Sequence, residues 1–534
     1  MTDIDSVLKN AENYDVITFD VFDTLLIRDV MIPADIFTLS YGSVGRYIRI
    51  LAEVIARKKS KNGEVTLADI DKACPFSCEK ELELEIKYCR ANPAMLEIYK
   101  KLKESGKKIY AISDMYLSSE FIGILLNNAG IDIPVLVSCE ENASKKDGSL
   151  FRVFLDRFSL HPDSVLHIGD NKISDHEGAK KAGIESLIVQ KHHDKISYTR
   201  YDRKAPEISS FINHGLNELT DPVEKIGYEI VGPLILSFCQ WINRKNKEFG
   251  FDRLYFLARD MRFAFEMYGC LYPEDASRYL CVSRRSLNFA KEHPEEMCEY
   301  LKKEECFGNV SVVDTGWIGN AQVEIEKYSG MIDDSSDIGG LYLGSKLAFR
   351  KLKRSERSRI CMYSSRFEQF KCQLFPPFME TLIGCNEKQV ISYDNGKPVF
   401  DRDESRDKTD KIKDGARKFI EDWKNIKYNA PIDADVSKKS FERMFYHPVN
   451  DHIKLIGSLH YEDLKDSSIV SFDEDCRYLL HPGRFMSDLG CSGWKGAFLK
   501  KTGFLYPFLL VLYFFFGSLR LYMVDLKKLS RNEL

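Results

Sequence analysis

The chain of 534 residues has no Cys-x-x-Cys pair, no internal repeat, no low-complexity tract and no strong net charge. A formal charge of -4 gives no global attraction to nucleic acid or to an anionic membrane, so no nucleic-acid partner is expected. Irregularly spaced cysteines, with no secretory pattern at the acidic start Met1-Thr2-Asp3-Ile4-Asp5, fit thiols kept reduced in a cytoplasm. What the chain does have is apolar material. Its 44% hydrophobic residues, with 34 Phe and 26 Tyr, suffice for about two to four domain cores.

The stretch Val16-Ile17-Thr18-Phe19-Asp20-Val21-Phe22-Asp23-Thr24 reads as a buried strand on which polarity arrives abruptly at Asp20. In open α/β sheets ligands collect at the carboxyl ends of such strands, and an Asp there can attack phosphorus. The same pattern also describes a strand whose Asp caps a turn. Three more stretches follow in order: Ile109-Tyr110-Ala111-Ile112-Ser113-Asp114, Ser144-Lys145-Lys146-Asp147-Gly148, and Val165-Leu166-His167-Ile168-Gly169-Asp170-Asn171-Lys172-Ile173-Ser174-Asp175.

Together these stretches resemble the motifs of the haloacid dehalogenase (HAD) superfamily, over roughly residues 14 to 190. The resemblance implies a Rossmann-like phosphatase or phosphotransferase. Asp20 would be the nucleophile, Ser113 and Lys145 would hold the phosphoryl group, and Thr24 would join them on the substrate. Mg²⁺ would be held by Asp20, the Phe22 backbone carbonyl and Asp170, with Asp175 in support. Lys146 is the alternative cation, one residue along. One departure matters. Where the phosphatase form has a second Asp as general acid, this chain has Phe22, which cannot donate a proton. Asp23 as a replacement, a proton from another element, a different reaction, or loss of hydrolysis remain open.

Helical periodicity around Ile36, Phe37 and Leu39, from Ile48 to Ile55, and from Glu81 to Ile86 predicts a helical cap at about 30-95, suited to small substrates. Helices over Met95 to Glu104 and Ser119 to Ala129 alternate with strands at Ile109 to Ile112, Val135 to Val137, Val165 to Ile168 and Ser186 to Val189. That alternation predicts a doubly wound parallel sheet over 1-195. Ser174 is expected to cap the helix closed by Gly183. His167 reads as a core or supporting histidine, and His192 and His193 as surface residues.

Residues 196-222 read as a linker, 223-400 as a second α/β domain, and 401-500 as a mainly helical region with a helix over Ala416 to Trp423. In the second domain, strands at Leu254 to Ala258, Tyr279 to Val282, Val310 to Val313 and Leu341 to Leu343 end in polar clusters. Arg259 and Asp314 are the candidate substrate-binding residues there. Gly316 and Gly319 would let backbone N-H groups approach an anion, against the reading of ordinary turns. Phe256-Leu257-Ala258-Arg259-Asp260 and Val313-Asp314-Thr315-Gly316-Trp317-Ile318-Gly319 resemble the second half of large HAD-like proteins associated with bacterial surface-polysaccharide gene clusters.

Gly503 to Leu519 carries no charge. As a helix it spans about 26 Å against a hydrocarbon core of about 30 Å. Lys495, Lys500 and Lys501 precede it and Arg520, Lys527, Lys528 and Arg531 follow, so an embedded or re-entrant segment at the inner face of a membrane is expected, without a set orientation. The reading is a cytoplasmic, membrane-associated, Mg²⁺-dependent HAD-type hydrolase acting on a small phosphorylated metabolite, a sugar phosphate of surface-glycan synthesis. The alternatives are a glycosyltransferase using the second α/β domain and a non-catalytic HAD-like scaffold.

Overall fold

A computed structural model of the chain describes all residues except 1-3, 31, 190-204, 386, 402-408, 426-430, 460-467, 474-477, 479 and 531-534. His192 and His193 lie outside the described residues. The chain divides into two units, Met1–Asn217 and Glu218–Leu534.

In the first unit, β1 (Val16–Phe19) is buried at every position, as expected of a strand covered on both faces. The chain then forms β2 (Leu26–Arg28), the helices Asp35–Lys59, Leu67–Ala73 and Lys80–Tyr88, and β3 (Cys89–Ala91). β2 and β3 pair antiparallel, Arg28 opposite Cys89, and close the helical insertion at its base. Helices alternate with β4 (Lys108–Ser113), β5 (Val135–Val137), β6 (Val165–Gly169) and β7 (Glu185–Ile188). The parallel sheet has the order β5-β4-β1-β6-β7. Its winding reverses between β1 and β6, the crevice where doubly wound sheets bind ligands. Leu150, Phe151 and Phe154, from the helix Ser149–Phe158, pack on Val16, Ile112 and Val165 of the sheet.

The helix after β6 starts three residues earlier than Ser174 suggests. Asn171 is its cap, with its side-chain oxygen accepting from the N-H groups of Ile173 and Ser174 at 2.9 and 3.3 Å. Within 196-222, residues Pro206–Glu218 form a helix with Ile208 and Ile212 buried.

The second unit repeats the parallel layout with β8 (Arg253–Leu257), β9 (Ser277–Leu280), β10 (Asn309–Asp314), β11 (Asp337–Tyr342) and β12 (Arg359–Ile360), in the order β12-β11-β10-β8-β9. Its reversal falls between β8 and β10. The helix Asp410–Lys424 covers the expected stretch from Ala416 to Trp423. The last helix, Tyr506–Ser530, runs past the uncharged stretch to include Arg520, Asp525, Lys527 and Lys528.

Glu229 in this unit is 5% exposed, in the turn Gly227–Val231. Burial pushes its carboxyl up to about 8, with Arg443 pulling the other way. The folded chain therefore keeps a proton that the unfolded chain releases. Its stability is full below the ordinary Glu range and falls as pH rises through about 8, by about 3 kcal/mol at neutral pH. Glu229→Gln is expected to remove that loss, so that the urea midpoint of the variant exceeds the parent's at about pH 8 but not at about pH 4.

Candidate functional site

Asp20 directly follows β1, and its backbone N-H donates to the Ile168 carbonyl of β6 at 2.9 Å. That bond carries the carboxylate to the β1–β6 crevice. Lys145 comes in from the segment before the helix Ser149–Phe158, where Asp114 fixes it. Asp114 accepts the Lys145 N-H at 2.8 Å and the Ser144 hydroxyl at 3.2 Å. The buried Lys145 ammonium then bonds to Asp20 and, at 2.6 Å, to Asp175. Lys146 is exposed, so it is Lys145 whose cation reaches the carboxylates.

Asp175 is shaped from beneath. A side chain at Gly169 would strike its carboxylate carbon at 2.4 Å, and one at Gly178 would meet the Lys145 carbonyl at 2.0 Å. Only glycine lets the β6 end and the Lys145 loop close this tightly. Asp175 also accepts from the Asn171 N-H at 2.8 Å and lies 3.3 Å from His167 Nε2. His167 Nδ1 is 2.9 Å from the Thr18 hydroxyl, and burial lowers the pKa of this imidazole below its ordinary value. His167 thus orients Asp175 from the core.

Asp170 is half-buried and accepts from the Thr24 hydroxyl at 3.3 Å. Carboxylate oxygens of Asp20, Asp170 and Asp175 lie within 4.8 Å of one another. Burial, with Asp170 and Asp175 adding to it and Lys145 opposing, raises the Asp20 carboxyl well above the usual range. For Asp175, burial is outweighed by Lys145 and His167, which hold it well below that range. Lys145 stays charged because Asp20, Asp175 and Asp114 outweigh its burial. Asp20 and Asp175 thus share one ammonium, with the Asp170 carboxylate beside them. A hard divalent cation fits such an all-oxygen donor set and would offset the remaining charge.

Phe22 places its ring beneath Arg28, whose guanidinium carbon is 3.9 Å from the ring centroid. Arg28 in turn holds Glu85 of the helix Lys80–Tyr88 with two bonds of 3.0 and 2.8 Å, both side chains buried. The place of the second Asp is therefore filled by an aromatic under a cation tied to the insertion. Asp23 stands at φ 62 in the turn, its N-H bonded to the Leu26 carbonyl at 2.7 Å. Ser113 ends β4, beside β1, and is buried. Among the described residues it makes no hydrogen bond to Asp20, Lys145, Asp170 or Asp175.

Arg259 and Asp314 belong to the second unit, just past β8 and at the end of β10. Asp260 and Glu380 join them, two residues not singled out in the sequence. Burial, with Glu380 and Asp314 adding and Arg259 and Arg284 opposing, raises the Asp260 carboxyl well above its usual range. The Trp317 indole N-H donates to Glu380 at 2.5 Å. Asp114, Arg28 and Glu85 were also missed as parts of the first site. Asp114 stood in the second motif, whereas Arg28 and Glu85 are 57 residues apart and carry no local signal. A cavity of about 450 Å³ lined by Asp15, Val16, Lys107, Lys108 and Ser164 opens at the other end of β1, away from all of these carboxylates.

Residues 48–189 match the family described as haloacid dehalogenase-like hydrolase, a span that begins after Asp20. No curated protein matches the chain. Among solved structures the chain is similar to a HAD phosphatase from Thermococcus onnurineus, at 20% identity over 35% of this chain and 91% of that one, with a TM-score of 0.27. It is also similar to the L-2-haloacid dehalogenase from Xanthobacter autotrophicus, at 16% identity over 35% of this chain and 79% of that one, TM-score 0.27. A HAD family enzyme from Bacteroides thetaiotaomicron matches at 14% identity over 34% of this chain and 97% of that one, again with a TM-score of 0.27.

Proposed function

We propose that the chain, whose first unit carries a haloacid dehalogenase-like hydrolase domain, is a Mg²⁺-dependent phosphohydrolase or phosphotransferase acting on a small phosphorylated metabolite. The observation that carries this reading is the convergence of Asp20, Lys145, Asp170 and Asp175 at the reversal point of the sheet. A carboxylate oxygen of Asp20 attacks phosphorus. The bond from phosphorus to the leaving oxygen breaks, and that oxygen takes its proton from solvent or from another group. Water then attacks the aspartyl phosphate and frees Asp20. Lys145 offsets charge between nucleophile and phosphate, and Ser113 and Thr24 hold phosphoryl oxygens. Asp20, the Phe22 carbonyl and Asp170, with Asp175 in support, would hold Mg²⁺, which would supply electrostatic stabilisation of the phosphoryl charge.

Phe22 shapes the substrate preference. Without an acid at that position, rate depends steeply on how well the leaving oxygen bears charge. Aryl phosphates are expected to turn over at least about 10²-fold faster than alkyl phosphates of similar size, the scale of a missing general acid. A leaving-group series checks this, and equal rates would mean that another residue, Asp23 first, donates the proton. The test of the function itself is a phosphate-release screen over sugar phosphates and a generic aryl phosphate with and without Mg²⁺. The sugar-phosphate assignment, in surface-glycan synthesis, is supported by the two second-unit phrases that resemble polysaccharide-cluster proteins. The apolar C-terminal helix would keep the enzyme at a membrane surface. Among the described residues it is the one helix, 503–530, long and apolar enough to cross a membrane by length and composition.

A specific observation favours a second reading, in which the second unit transfers a glycosyl group. Asp260 lies just past β8 and Asp314 at the end of β10, the two strands that flank the sheet reversal, with Arg284 close enough to act on both and Arg259 on Asp260. Loss of sugar transfer in Arg259→Ala or Asp314→Asn with phosphate release intact would select it.

A further inference from the structure

The C-terminal helix is apolar on two sides, and protein covers only one of them. Toward the rest of its unit, Phe514 meets Phe367, Phe370 and Tyr446 with ring centroids 6.2, 5.7 and 6.2 Å apart. Gly517 and Ser518, next on that face, are buried. Further along, Asp525 is buried with a carboxylate oxygen 3.7 Å from the Lys346 ammonium. At the other end the Tyr506 hydroxyl reaches the Tyr446 carbonyl. The helix is therefore fastened flat along its length. Its outer face runs from Phe504, which is 90% exposed, through Phe508, Val511, Phe516 and Leu519 to Met523. A contiguous stripe of this length marks an interaction surface.

We propose that this helix docks in the plane of a membrane, its outer stripe at the boundary of headgroups and acyl chains in a leaflet that carries anionic lipid. This rests on the membrane reading above and replaces an embedded or re-entrant segment with an in-plane one. Two features carry it. A helix tied at both ends to its own unit cannot cross the bilayer without tearing Asp525 from Lys346 and the Phe514 ring from Phe367, Phe370 and Tyr446. Lying flat, it keeps every contact. The exposed charges are also all of one sign. Arg520, Lys527 and Lys528 are exposed, and Asp525, the one acidic residue in 503–530, is turned inward. Anionic headgroups complement that set.

Lys495, expected among the flanking cations, is not one of them. Its amine bonds to the Gly490 carbonyl at 2.8 Å in a buried turn, where burial lowers its pKa to about 7.

The test uses the full chain. Flotation with phosphatidylcholine vesicles, with and without phosphatidylserine, should show binding that depends on the anionic lipid. Phe516→Asp should abolish it, and joint Lys527→Glu and Lys528→Glu should weaken it by about tenfold or more. Both sites are exposed, and phosphate release should be unchanged. A C-terminal epitope tag should resist protease in intact spheroplasts of an expression host and be cut after lysis. Vesicle binding with a tag cut in intact spheroplasts would overturn the in-plane geometry and keep the membrane reading. No binding to either vesicle, or a dimer that Phe516→Asp dissociates, would overturn both. Equal binding to both vesicles would overturn the anionic-lipid part.

Discussion

Asp20→Asn is expected to abolish phosphate release, by about 10⁴-fold or more, with the far-UV circular dichroism spectrum unchanged. The amide has the shape of the carboxylate and lacks the nucleophilic charge. The fold should tolerate it, because Lys145 keeps its bond to Asp175 and one of three crowded carboxylates is gone. Burial already raises the Asp20 carboxyl well above the usual range, so losing its charge does not cost the folded state a favourable ion. Asp23→Asn is the companion measurement. A loss confined to alkyl phosphates would make Asp23 the proton donor, and no loss would leave that role to solvent or to another element. Turnover that survives in Asp20→Asn would move the activity to the second unit.

Lys145→Met is expected to cost about 3 to 5 kcal/mol in unfolding free energy, because it strands Asp20 and Asp175 next to each other without their cation. The Lys145 and Asp175 side chains are 2% and 1% exposed, so solvent cannot screen the loss. The denaturant midpoint measures it. Lys146→Met, one residue along and exposed, should barely move that midpoint. Adding Mg²⁺ should return part of the stability to Lys145→Met, since a cation that binds only the folded state shifts the equilibrium toward it.

The parts of this fold that can be read in advance are those that obey one local rule. β1, β4 and β6 sit inside a covered sheet, so they show as apolar runs that stop at Asp20, Ser113 and Asp170. The choice between Lys145 and Lys146 has no such rule. It is made by the Asp114 bond to the Lys145 N-H and by the space at Gly178, both tertiary. Asn171 outcompetes Ser174 as the cap because its side chain accepts two backbone donors. The Arg28–Glu85 pair and the three-residue β2 and β3 join distant segments, and strands that short show no period. Lys495 looks like any surface lysine until the turn at Gly490 surrounds it.

The short ribbon of β2 and β3 has a consequence for how such a protein can change over time. Because Arg28 lies opposite Cys89, the insertion leaves the sheet and returns to it at neighbouring points. Loop-closure entropy grows only slowly with the length of the excursion, by about 0.6 kcal/mol for each doubling. Segments of very different length and shape can therefore be exchanged on that ribbon while Asp20, Lys145 and Asp170 stay in register on the sheet beneath. The insertion and the carboxylate cluster thus sit on separately heritable pieces of chain, joined in part through the Arg28–Glu85 pair beside Phe22, where a change on one side is felt by the other.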